Sequence, residues 1–284
     1  MSATIRHISD TALWVAMYRA FESERPDALF RDPYARRLAG ERGEAIVCSL
    51  PRGRSMAWPM IVRTAVMDGI IIRCISQGVR TVINLAAGLD TRAYRLALPP
   101  SLRWFDVDLP DMIAYRREQL EGARPVCIHE DLEADLAVSE ARAAVLTHTE
   151  DGEGPAIVIT EGLLIYLTAD HVSSIATQIH QQREVRWWLI DLATPLLLQI
   201  LSRSWQPHLA AASSPMQFAP AEGTAFFAPL GWREAEFRST WDESLRLKRS
   251  ARLAWLWHWL GRLRPKDVRE AYRRMSGVVL LERN

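Results

Sequence analysis

Lysine is almost missing from this chain of 284 residues: Lys248 and Lys266 are its only lysines, and arginine supplies the remaining basic charge. An excess of charge of either sign is missing too. A formal net charge of +1 gives no field that would draw nucleic acid or an anionic membrane. Cysteine is scarce, and Cys48, Cys74 and Cys127 form neither a CxxC pair nor an even framework. This argues against a structural zinc site or a disulfide scaffold. Each cysteine has an apolar neighbour and reads as a small buried hydrophobe, which fits a reducing cytoplasm. No uninterrupted apolar run approaches the roughly 18 residues of a membrane span, and Met1 to Asp10 lack the apolar core of a signal peptide. No His/Asp/Glu cluster has ligand spacing, so no metal is expected.

Apolar residues make up 49% of the chain, enough for one large α/β domain with a cap. Residues 9–77 read as helical: Ser9 or Asp10 caps Thr11–Phe21, Asp32-Pro33 opens Tyr34–Leu38 in N-cap fashion, and Ser55–Gln77 is a longer helix stopped by Gly78. The rhythm then alternates. Strands are expected at Val79–Leu85, Leu102–Val107, Pro125–Ile128, Ala156–Thr160 and Val185–Leu192, with helices at Arg92–Leu98, Pro110–Leu120 and Ala169–Gln182. Arg233–Arg238 and Gly277–Glu282 complete seven strands. Such alternation implies a Rossmann-like α/β fold, a mostly parallel sheet with helices on both faces and ligands at the strand C-termini. The expected organisation is a helical lid over residues 1–78, then a Rossmann-like domain over 79–284, interrupted by a proline-rich cap at about 195–222.

Residues 81–90, Thr-Val-Ile-Asn-Leu-Ala-Ala-Gly-Leu-Asp, run from a strand into a tight turn that opens a helix, the geometry for close backbone approach to a ligand. Asp108 follows Gly88 at the spacing of about 20 residues at which an acidic strand end accepts ribose hydroxyls. Asp106, on the same strand face, competes for that role. A single glycine suits a dinucleotide pyrophosphate poorly, whereas S-adenosylmethionine has no phosphate and needs acidic groups for its ammonium and sulfonium. Glu161 and Asp131 stand at the expected edge. Alone, the turn is equally compatible with an ordinary strand–turn–helix and a helix-capping aspartate.

Five ordered motifs together carry a resemblance. Residues 84–92 (Asn-Leu-Ala-Ala-Gly-Leu-Asp-Thr-Arg), 106–110 (Asp-Val-Asp-Leu-Pro), Asp131-Leu132, 161–167 (Glu-Gly-Leu-Leu-Ile-Tyr-Leu) and the upstream 25–35 segment resemble the leucine carboxyl methyltransferase-like family, in its bacterial branch. Phe218-Ala219-Pro220 through Gly231-Trp232 extends the likeness over nearly the whole chain. The resemblance implies a class I methyltransferase fold and S-adenosylmethionine as methyl donor, leaving S-adenosylhomocysteine. It implies that Arg63 meets a carboxylate of the donor or the substrate. Gly88 would admit the methionine moiety, beside Ala86 where relatives carry more glycine. Asp108, with Leu109 beside it, would hold the ribose; Asp131 and Leu132 would frame the adenine; Glu161 would face the amino group and Tyr166 the substrate mouth.

Methyl transfer needs alignment and exclusion of water more than proton chemistry. A carboxylate acceptor is already ionised at neutral pH, whereas a phenol usually needs a base. His129 and His171 are the histidines nearest the expected edge, and neither belongs to a recognisable base motif. The expectation is therefore O-methylation of a carboxylate, on a small molecule or a peptide C-terminus, within natural-product biosynthesis. A phenolic acceptor, a non-catalytic binding module and an NAD-dependent oxidoreductase are the rivals. Trp205, Phe218, Phe226, Phe227, Trp232, Trp241, Trp255, Trp257 and Trp259 either stack on an aromatic substrate or build a core or an oligomer contact. Oligomeric state is unreadable.

Overall fold

The computed structural model describes residues 9–50, 53–150, 154–209, 215–251, 259, 261 and 264–284. Alternating apolar and chain-reversing segments produce ten helices among these residues: α1 (Ser9–Ser23), α2 (Ala35–Ser49), α3 (Trp58–Ser76), α4 (Arg92–Arg95), α5 (Pro110–Gln119), α6 (Ser139–Thr149), α7 (Ala169–Gln181), α8 (Pro195–Leu209), α9 (Thr240–Arg246) and α10 (Lys266–Arg273). The strands are β1 (Thr81–Leu85), β2 (Arg103–Asp108), β3 (Ile128–Glu133), β4 (Ala156–Thr160), β5 (Val185–Ala193), β6 (Trp232–Ser239) and β7 (Ser276–Arg283). They form one sheet of order β3-β2-β1-β4-β5-β7-β6. The first five are parallel, and β7 runs antiparallel to both β5 and β6. The expected seven-stranded, mostly parallel sheet is present.

Strand alternation sends side chains to both faces, and both are buried, as a sheet covered on each side requires. Val82, Trp104, Ile157, Ile159, Leu189 and Leu280 pack with α3 on one face. Ile83, Phe105, Val158, Trp188, Ile190 and Leu281 pack on the other, with α7 and the aromatic segment around Phe227. Trp188, Phe227 and Trp232 meet edge to face, with ring centroids 5.4 and 5.7 Å apart. Phe218 and Phe226 join them, so this half of the expected aromatic cap is sheet core. Trp255, Trp257 and the side chain of Trp205 lie outside the described residues.

Helix α3 departs from the expected lid. Residues 53–76 are apolar enough in length and composition to cross a membrane, yet half of that stretch is buried, and Val62, Val66, Met67, Ile70 and Cys74 face the sheet. It is a layer of the sheet domain, with only its first turns reaching the sheet edge. The other N-terminal helices, α1 and α2, pack on each other and, through Leu89, Met112 and Leu120, on the loop after β1 and on α5.

Other boundaries also moved. The apparent N-cap Asp32 accepts the Tyr34 amide at 3.1 Å, but α2 starts later, with Tyr34 at the cap position. The segment read as cap begins with the helix α8, because Pro195 stands at its first position, where its missing N–H costs nothing. Cys48 is exposed, unlike the buried Cys74 and Cys127; it lies on the outer side of α2. Strand β3 begins at Ile128, where it was expected to end.

Candidate active site

The C-terminal ends of β1, β2, β4 and β5 lie along one edge, and the antiparallel β7 starts there because Ser276 pairs with Ala193. A cavity of about 1830 Å³ opens at this edge. It is walled by the turn after β1, the ends of β2, β4 and β5, the first turns of α1 and α3, and by α8 and α10. Ordinary ligand pockets hold roughly 300–1,000 Å³, so there is room for two molecules at once.

The turn after β1 is built for close approach. Ala86 and Gly88 both have positive φ, 56° and 53°. A side chain at Gly88 would be strained by that φ and would meet the Cβ of Ala12, 3.4 Å from an added Cβ. Ala86 bears the strain without glycine's freedom, at a cost on the order of 1–2 kcal/mol. Asp108, at the end of β2, accepts the amide of Gly88 at 2.7 Å and that of Leu109 at 2.8 Å. Burial pushes its carboxyl above the ordinary aspartate value, and those two amides offset only part of the effect. A half-buried carboxylate facing a cavity is a strong acceptor for hydroxyl donors.

Beside it lies a buried ionic cluster. Arg63 donates to Glu161 and to Asp191, both at 2.9 Å. Arg92, 2% exposed at its side chain, reaches Asp68 and Glu161 at 2.7 Å and Asp90 at 2.6 Å. Arg95 doubles the grip on Asp68. Arg19 of α1 bonds Asp32 and the carbonyl of Leu89, tying the first helix to the turn. Asp191 also accepts the amide of Gly162 at 2.7 Å. Five carboxylates thus face four guanidiniums, leaving a net negative site.

Burial alone would raise the carboxyl of Glu161, but Arg92 and Arg63 outweigh it and hold it at about 2. Its folded pKa lies below the unfolded value, so its contribution to stability is present above about pH 4.5 and is lost as pH falls towards 2. Glu161→Gln is expected to be less stable than the parent at pH 6 and to lose less of its melting temperature between pH 5 and 2.5. Parallel pH profiles of the two proteins would contradict this coupling. Tyr166 lines the cavity, and burial, opposed by Arg63, raises its phenol above the usual value. Its hydroxyl therefore stays protonated at neutral pH.

Arg63, Ala86, Gly88, Asp108, Leu109, Glu161 and Tyr166 all line the one cavity. Asp131 and Leu132 do not; Ala134, Asp135, Leu136 and Ala137 take their place on its wall. The reason is the register: Asp131 pairs with Asp106, two residues below Asp108. There it joins a buried group in which Arg116 bonds Asp106, and His129 sits 2.8 Å from Asp106 and 3.6 Å from Asp131. Asp106, Asp131 and His129 are close enough to ligate a cation, but the Arg116 guanidinium already supplies the positive charge. Arg116 and His129 outweigh the burial that would raise the Asp106 carboxyl and keep it ionised. Asp106 is thus a structural ion-pair partner, and His129 is spent beneath the site. His171 is exposed in the first turn of α7. No histidine lines the cavity among the described residues.

Sequence patterning alone gives Arg92, Arg95, Asp191 and Arg19 no role at the site. The position of Asp191 at the end of the fifth strand was the available signal; Arg19 offered none, since its partners lie 13 and 70 residues away.

The family model described as leucine carboxyl methyltransferase matches residues 12–180. A Streptomyces coelicolor protein named "Putative S-adenosyl-L-methionine-dependent methyltransferase" is 36% identical over 183 residues, 61% of this chain and 64% of the relative. The chain therefore spans less than two thirds of that relative's length. Among solved structures, a DUF574 family protein from Streptomyces avermitilis superimposes with a TM-score of 0.58 at 13% identity, covering 95% of this chain and 97% of that one. A Thermobifida fusca structure titled "putative methyltransferase" gives 0.59 at 16% identity, covering 98% and 95%. At such identities these two likenesses concern the fold alone.

Proposed function

The chain belongs to the leucine carboxyl methyltransferase family, and from that premise we propose that it is an S-adenosylmethionine-dependent O-methyltransferase that converts a carboxylate to its methyl ester. The observation that carries the reading is the cavity itself, where a half-buried ribose-type acceptor, Asp108, adjoins a net-negative cluster. The donor's sulfonium and ammonium outnumber its one carboxylate, so a cluster with one carboxylate in excess suits it electrostatically. The positive φ at Gly88 and the absence of a side chain there leave the approach open. When bound, the donor supplies an electrophilic methyl whose S–C bond breaks as the acceptor oxygen attacks, the electron pair returning to sulfur.

The residues of this chain then have separable tasks. Asp108 accepts ribose hydroxyls, while Ala134 to Ala137 stand where the adenine would be framed. Glu161 and Asp191 face the ammonium, and Arg63, held between them, is placed to meet a carboxylate. Protonated Tyr166 donates towards the acceptor side and helps wall off water. No base is needed, because a carboxyl group with a pKa near about 4 is ionised at neutral pH, and no cavity-lining histidine is among the described residues. A cavity of about 1830 Å³ favours a bulky small molecule, in keeping with natural-product tailoring.

Labelled methyl donor incubated with a carboxylic-acid library tests this. The expected product loses its label as methanol in mild alkali. An alkali-stable labelled ether would replace the carboxylate by a phenol, and calorimetric binding of NAD in place of the methyl donor would overturn the reading.

A further inference from the structure

Resting on the methyltransferase reading, the remainder of the cavity says what kind of acceptor it takes. Away from the ionic cluster its wall becomes apolar: Trp14, Trp58, Ile165, Leu201, Met216 and Trp241 line it. Trp58 and Trp241 meet edge to face, 6.4 Å between centroids, and brace one side. At the mouth stand large apolar side chains that water reaches, Met56 at 36%, Ile200 at 48% and Tyr272 at 49% exposure. A wall of this kind is stable in water at a cost and gains from an apolar body laid against it.

The mouth is also charged. Helix α10 has no buried residue, yet Lys266, Arg269 and Arg273, with Arg264 just before it, line the cavity. Arg273 is neutralised by Asp242 at 2.8 Å and Glu270 at 3.4 Å. Arg264, Lys266 and Arg269 form no ion pair among the described residues, and Arg264 lies 5.0 Å from the ring centre of Tyr272. The inner cluster contrasts with this: its arginines are all matched by carboxylates.

We infer that the acceptor is an amphipathic anion, with an apolar body in the chamber and an anionic group, remote from the methyl-accepting atom, held at the rim by Arg264, Lys266 and Arg269. The chamber sets the body, the rim sets the charge, and the inner cluster remains with the methyl donor. A cationic or uncharged apolar molecule of the same shape is discriminated against at the rim.

The probe pair is 1-anilinonaphthalene-8-sulfonate and N-phenyl-1-naphthylamine, which share an apolar body and differ by one sulfonate. Fluorescence titrations of the full chain, saturated with S-adenosylhomocysteine, are expected to give at least about tenfold tighter binding of the sulfonate. Lys266→Glu combined with Arg269→Glu is expected to remove that preference without changing the affinity for the neutral probe. Arg269→Gln, a milder change, serves if the double variant melts early, and is expected to lose part of the preference. Equal affinity for both probes, or a preference that survives charge reversal, overturns the inference. S-adenosylhomocysteine binding is measured separately by calorimetry: its failure in the parent protein falls on the methyltransferase reading, whereas its persistence with an unselective rim falls on this one.

Discussion

Arg92→Ala is expected to destabilise the protein by about 3–5 kcal/mol, the usual cost of removing one partner from a buried ion pair. Arg92 is almost wholly buried and reaches Asp68, Asp90 and Glu161 at once. Three carboxylates would lose a cation in a region water barely enters. Arg95 still holds Asp68 and Arg63 still holds Glu161, which places the loss within that range rather than above it. For a chain of this size the melting temperature should fall by roughly 10 °C. Arg92→Lys should recover less than half, since one ammonium cannot reproduce a planar fork shared among three carboxylates. Urea unfolding of the three proteins decides it. A loss below about 1 kcal/mol, the scale of an exposed pair, would mean that the cluster is hydrated and does not organise the site.

Asp108→Ala should behave in the opposite way, weakening S-adenosylhomocysteine by about a hundredfold while leaving stability nearly unchanged. Two hydroxyl hydrogen bonds to a charged acceptor, at about 1.5–3 kcal/mol each, make a hundredfold a moderate figure. The stability side follows from the sign of its titration. Burial raises the carboxyl of Asp108 above its unfolded value, so ionisation is unfavourable to the fold, and the contribution to stability declines as pH rises through the raised pKa. The variant forfeits the bonds to the Gly88 and Leu109 amides, which offsets the relief of removing a buried charge. Calorimetric titration alongside thermal unfolding measures both. Unchanged affinity would detach Asp108 from the cofactor; a large drop in stability with affinity intact would make it a structural clasp for the turn. Affinity of the parent protein should also fall with acidity at a higher pH than an ordinary aspartate would give, because only the ionised form accepts from two hydroxyls.

These two residues differ in how far the sequence could disclose them. Asp108 stands at a fixed distance along the chain from Gly88, and the parallel pairing of β1 with β2 turns that distance into contact. Local patterning therefore placed it beside that turn, as it placed six of the seven strands, since alternation of apolar runs with amphipathic helices leaves few right-handed arrangements. Asp131 shows where this reasoning failed. The apolar segment at Pro125–Ile128 looks like a strand, but β3 is an edge strand with no fully buried residue and with polar side chains at four of its six positions, so hydrophobicity marks its approach and not its body. Its register is set by Arg116, Asp106 and His129, contacts that no spacing rule predicts.

From the sequence alone came the Rossmann-like sheet, the family resemblance and a site drawn from residues at strand ends, because these depend on periodicities of two and of 3.6 and on short chain intervals. The tertiary structure alone decided which charges are spent. Arg63 meets Glu161 and Asp191 across 98 and 128 residues, and Arg249 of the segment after α9 closes on Glu22 of α1 across 227. Whether a guanidinium is neutralised in the interior or left open at a rim depends on which carboxylate comes within about 4 Å, a matter of packing between distant segments that one-dimensional order does not encode.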